Sequence, residues 1–134
     1  MNEKLAALTL TLLTASTSAF AQTATVDCTF PKYANDIKSG SQDFEIKFVV
    51  NTDDETGKVK AFSVGNVGSN EVYLLSSHNS MTFIENTESG SVQTTTMLFE
   101  SGKAVHSRNT VATDLSGKNP RLIPSQSYGS CEVK

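Results

Sequence analysis

The chain contains no tryptophan, two histidines, two cysteines and three prolines. Without tryptophan the usual platform for stacking a sugar ring is missing, and only Tyr33, Tyr73 and Tyr128 can stand in for it. Two histidines are too few for a zinc site of three or four ligands once the cysteines are paired, and His78 lies in a turn with no second ligand at a useful spacing. No metal site is therefore expected. Basic residues are scarce as well: 11 Lys and Arg stand against 14 Asp and Glu, and they do not cluster. That balance disfavours nucleic acid or an anionic membrane as a partner, because both require concentrated positive charge. Neither G-x-S-x-G nor H-E-x-x-H occurs, and no cofactor motif is present, so the chain reads as a non-enzyme without a cofactor. A small hydrolase, with its residues gathered from distant positions, is the remaining catalytic alternative.

Long apolar runs are also missing, apart from one at the N-terminus. Lys4 precedes the Leu- and Ala-rich stretch from Leu5 to Leu13, small residues follow, and Ala19-Phe20-Ala21 supplies an A-x-A cleavage pattern. Residues 1–21 are read as a cleavable export signal, because this stretch is too short to span a bilayer as a helix. Residues 22–134 then form a single mature domain, periplasmic or secreted, with no membrane insertion after cleavage. An outer-membrane barrel fits poorly, since its strands would need longer apolar alternation and aromatic girdles.

Cys28 and Cys131 bracket this domain. An even count in an exported chain favours a disulfide, and two cysteines allow only one intramolecular pairing. No C-x-x-C and no neighbouring histidine suggests a reactive or metal-binding thiol pair.

Between the cysteines nearly every segment alternates or turns. Strands are expected at 23–30, 43–51, 58–64, 71–76, 81–85, 91–99, 103–113 and 122–133, with a long loop over 32–42. In the second of these Phe44, Ile46, Phe48 and Val50 share one face. The Ser101-Gly102 pair suggests a two-residue hairpin turn, placing Leu98 opposite Val105 and Thr95 opposite Arg108. The pattern indicates an all-β domain: a small antiparallel up-and-down β-barrel of about eight strands, with a two-sheet β-sandwich as the alternative. A bridge between the first and last strands favours the barrel, because closure makes those strands neighbours and removes both edges. The chain is read as a monomer.

Candidate binding residues come from that hairpin. One of its surfaces carries Thr94, Thr96 and Asn109; the other carries Thr95, His106 and Arg108. Read as a site, His106 and Arg108 lie on one side of a strand and suit an anion or carboxylate, with Thr95 opposite. Thr94, Thr96 and Asn109 would line a cavity if their face turned inward. The plainer expectation is a solvent-facing surface, which is ordinary in an antiparallel sheet. Asp53-Asp54-Glu55 offers carboxylates to calcium, but the run leads into Thr56-Gly57 and reads as a solvated turn. Gly129 suits a bulge or a close approach by a neighbouring strand, and Tyr128 is the candidate to close one end of the barrel.

The segment Pro124-Ser125-Gln126-Ser127-Tyr128-Gly129-Ser130-Cys131-Glu132, together with Gly102-Lys103-Ala104-Val105-His106-Ser107-Arg108, resembles small exported bacterial proteins of alphaproteobacterial type and unknown function. In those proteins one cysteine follows the signal and another lies in a Tyr-Gly-x-Cys segment near the end. The resemblance implies an exported bacterial domain and carries no activity, ligand or catalytic residues. The functional expectation is a non-enzymatic domain that binds an unidentified small ligand. The alternative is a module that binds a periplasmic protein, such as an inhibitor of a cell-wall hydrolase.

Overall fold

A computed structural model describes residues 22–65 and 68–134. The export signal expected at residues 1–21 lies outside the described residues. Nine strands follow one another: β1 (Gln22–Asn35), β2 (Ser39–Ser41), β3 (Glu45–Thr52), β4 (Val59–Gly65), β5 (Gly68–Ser76), β6 (Ser80–Asn86), β7 (Val92–Leu98), β8 (Lys103–Ala112) and β9 (Arg121–Val133). Every pairing is antiparallel, and β9 returns to pair with β1. The result is a closed eight-stranded barrel with β2 as an additional short strand. β1 pairs with β3 over Gln22 to Thr29 and with β2 over Lys32 to Ala34, so β2 and β3 lie end to end along one side of it.

The loop expected at 32–42 is largely strand. β1 continues to Asn35, whose side-chain oxygen accepts hydrogen bonds from the Ile37 and Lys38 amides and so fixes the turn into β2. Pro31 hid this continuation, because it cannot donate to a ladder. It lies where the β1–β9 register slips by one residue, between Thr29 and Lys32, which is where a strand tolerates proline. Gly129 stands opposite this slip, and a Cβ there would collide with the backbone oxygen of Thr29 and lie 2.8 Å from Phe30 Cα. The close approach expected of Gly129 is thus present.

Cys28 and Cys131 are directly opposed across the β1–β9 seam and form a disulfide, with Cα atoms 4.0 Å apart and a sequence separation of 103. Strand alternation turns both inward. The centre of the barrel is filled: the Phe48 and Phe83 rings stack at 3.9 Å, and Val26, Phe30, Val50, Ala61, Val72, Met97 and Ala104 pack around them. Each of these residues occupies the inward phase of its strand, so the period-two pattern places the core directly.

Two local expectations need correction. The β7–β8 hairpin is closed by a four-residue loop, Phe99 to Gly102, so Thr95 faces His106, Thr96 faces Val105 and Gln93 faces Arg108. A two-residue Ser-Gly turn of the tight type would require Ser101 at positive φ as well, and no non-glycine residue among those described adopts it. Gly102 instead takes φ 67° at the end of the longer loop, where its amide donates to the Leu98 carbonyl. Tyr128, for its part, does not close the barrel. It faces outward, pairs with Val105 and Lys32, and donates its hydroxyl to Gln126 Oε1 at 2.8 Å.

Candidate functional site

The register across β6, β7, β8 and β9 stacks the inward side chains in layers. The lowest contains Met81, Met97, Ala104 and Gly129 and is apolar. The next contains Phe83, Thr95, His106 and Ser127. Above it, at the end of the barrel reached by the Asn86–Ser91 and Ala112–Arg121 connections, lie Glu85, Gln93, Arg108 and Ser125. Each step upward replaces carbon with polar groups. The interior therefore changes from an apolar core to a polar mouth within four residues of strand.

His106 is 2 % exposed, and so is Thr95. The hairpin surface that carries them is thus the inside of the barrel, which overturns the expectation of a solvent-facing surface. His106 Nδ1 lies 2.8 Å from Thr95 Oγ1. Whichever nitrogen bears the proton, Nε2 is buried without a partner. Phe30 and Phe44 enclose the imidazole, with ring centroids at 5.8 and 5.1 Å.

Arg108 stands one layer higher and is half-buried. Its guanidinium lies over the Phe44 ring, 5.7 Å from the centroid. Among the described residues it makes no ion pair, and its Nε is buried without a hydrogen-bond partner. Phe44 comes from the short break between β2 and β3, where its carbonyl accepts the Phe30 amide. It stacks on Phe30 at 5.6 Å and forms the floor on which the guanidinium rests.

Glu85 completes the mouth from the other side. Its Oε1 accepts hydrogen bonds from Ser63 Oγ at 2.9 Å and Asn70 Nδ2 at 3.5 Å. Phe44, Ser63, Asn70 and Glu85 line a depression of about 490 Å³. Phe44 thus carries the Arg108 guanidinium and shares a depression with the Glu85 carboxylate.

The sequence candidates divide between two surfaces. Thr95, His106 and Arg108 share the interior, whereas Thr94, Thr96 and Asn109 lie on the outer face, where Thr96 bonds to Thr82 at 2.9 Å. Successive strand residues point to opposite sides, so the six cannot line one cavity. Glu85, Gln93, Ser63 and Asn70 have no motif in the sequence, and Phe44 reads there only as part of an apolar strand face. A signal for Glu85 was present: it continues the series Met81, Phe83, in phase with the core. Asp53 is a turn residue, as expected, accepting the Glu55 and Thr56 amides.

Burial pushes the His106 pKa down from 6.5 to about 4, and the neighbouring positive charge of Arg108 adds to the effect. An unfolded chain binds this proton near 6.5 and the folded one near 4, so stability is full above the first value and falls as pH is lowered toward the second. The gap corresponds to about 3 kcal/mol. Urea unfolding at pH 7 and pH 4.5 should show most of that loss, and a His106→Leu variant should show little difference between the two. Equal midpoints for the unmodified protein would contradict a buried neutral imidazole. Below this window Asp27, Asp53 and Asp114 take over, since hydrogen bonds hold their carboxyls below the usual range.

No protein-family model, curated protein or solved structure matches the chain.

Proposed function

We propose that this is an exported, non-enzymatic binding domain that takes a small anionic ligand, a carboxylate foremost, at the polar mouth of the barrel. The observation that carries this reading is the unpaired Arg108 guanidinium. A half-buried cation without a counter-charge among the described residues has lost part of its hydration and gained no partner there in return. A carboxylate would supply the missing charge and accept two parallel hydrogen bonds from the guanidinium fork. His106, neutral at physiological pH, lies buried one layer beneath and adds no competing positive charge. The filled centre argues against a deep lipophilic ligand and leaves the mouth as the place of binding. A disulfide suits an oxidising compartment, periplasmic or secreted.

Calorimetric titration with a panel of small carboxylates should give saturable binding that Arg108→Gln weakens at least tenfold, with Arg108→Lys intermediate because it keeps the charge but loses the fork. No saturable binding by any member of the panel would overturn this reading.

A second reading is a protein-interaction module, such as an inhibitor of a cell-wall hydrolase. It is favoured by the outer wall of β6 to β8, where Thr82, Ile84, Thr94, Thr96 and Val105 carry no charge, beside Tyr73 and Leu75 at 75 % and 60 % exposure. Lysozyme activity measured with and without the mature domain tests it directly; unchanged turnover at excess domain counts against it.

A further inference from the structure

We infer that the ligand of the mouth is a zwitterion, with its carboxylate on Arg108 and an ammonium group on Glu85. This rests on the anion-binding reading above and specifies the other half of the ligand.

Glu85, Gln93 and Arg108 occupy one layer, paired strand to strand. The backbones of β6 and β8 are therefore about 10 Å apart, two inter-strand spacings. Glutamate and arginine are both long enough to meet across Gln93, yet no ion pair joins them among the described residues. Each is held apart by its own contacts. Glu85 is turned toward the β4–β5 side by Ser63 and Asn70, and Ser63 is itself only 6 % exposed. Arg108 lies over the Phe44 ring, and Phe44 and Glu85 both line the depression of about 490 Å³.

That arrangement is poorly suited to a simple anion. A carboxylate on Arg108 would share the mouth with the Glu85 carboxylate, where charges are only partly screened. An ammonium on the same ligand turns that repulsion into a second attraction. Phe44, which Arg108 overlies and which lines the depression with Glu85, offers an apolar floor for a methylene stem, and a cation near its ring gains further. The span favours charges separated by several atoms over the single carbon of an α-amino acid.

The test compares 6-aminohexanoate, hexanoate and hexylamine by calorimetric titration of the mature, oxidised domain. The amino acid is expected to bind at least tenfold more tightly than hexanoate, and hexylamine more weakly than either. Glu85→Gln keeps an acceptor for Ser63 and should abolish the amino acid's advantage while leaving hexanoate at least as tight as before. Arg108→Gln should weaken both acids. Circular dichroism and the urea midpoint establish that each variant is folded; where Arg108→Gln is not, Arg108→Lys serves in its place. If hexanoate binds in an Arg108-dependent way and the amino group adds nothing, the zwitterion is excluded and the anion site stands. If Glu85→Gln weakens both acids equally, Glu85 supports the fold of the mouth and the inference is wrong. If neither acid binds, the anion reading falls and takes this one with it.

Discussion

Replacing Cys28 and Cys131 together by alanine is expected to lower the free energy of unfolding by about 4–5 kcal/mol. The bridge closes a loop across a sequence separation of 103 residues, so its absence frees nearly the whole described chain in the unfolded state. Both side chains are also buried, at 2 % and 7 % exposure, and their removal leaves a small void beside Val26 and Phe30. Domains of this size are stable by roughly 5–15 kcal/mol, so the double variant retains a small margin or none. Urea denaturation of the oxidised protein and of the variant measures the difference. Matching midpoints would mean that the β1–β9 ladder alone holds the seam.

The second large effect is at Gly129 on the same seam. Gly129→Ala is expected to cost more than about 4 kcal/mol, at the exceptional end for a single methyl group. The atoms that the new Cβ would meet are Thr29 O, Thr29 C and Phe30 Cα, all backbone, so no side chain can swing aside. Relief requires β1 and β9 to part, and Cys28–Cys131 clamps them two residues away. Ser130→Ala, at an exposed neighbouring position, is the comparison and should stay within about 0.5 kcal/mol. A midpoint for Gly129→Ala close to that of Ser130→Ala would show that the bulge at Phe30 and Pro31 can flatten without penalty.

The seam is legible in the sequence, because two cysteines and one Tyr-Gly-x-Cys segment mark both of its sides. The strands were legible for a similar reason: Phe44, Ile46, Phe48 and Val50 alternate without interruption. Pro31 concealed the second half of β1, since a proline argues against a central strand unless a bulge receives it. The hairpin register was missed because Ser101-Gly102 fits both a short and a long loop, and only the φ demanded of Ser101 decides between them. The faces survived this error, because the slip was by two residues and parity was kept. Half of the candidate site followed from that: Thr95, His106 and Arg108 share the interior, as their common phase required. The direction in which that face turned was not legible, because Thr95 and His106 are polar and their burial depends on one another and on two phenylalanines from β1 and the β2–β3 break. Glu85 escaped because a lone carboxylate in a core phase has no local signature; its partners Ser63 and Asn70 come from other strands.

Pairing of β9 with β1 also governs the order in which this barrel can form. The neighbours β3 to β9 zip in sequence through short hairpins, each closing a small loop. The last ladder joins residues such as Val26 and Val133, and must await all the others. Until then one side of β1 and one side of β9 remain unpaired, open to any other chain with a free backbone. Contacts of such high sequence separation put folding in the slow range for domains of this size. A chain whose cysteines have already joined would bypass that search, since its two ends are held together before the barrel exists. In this protein the timing of oxidation therefore sets how long the edges stay available for aggregation.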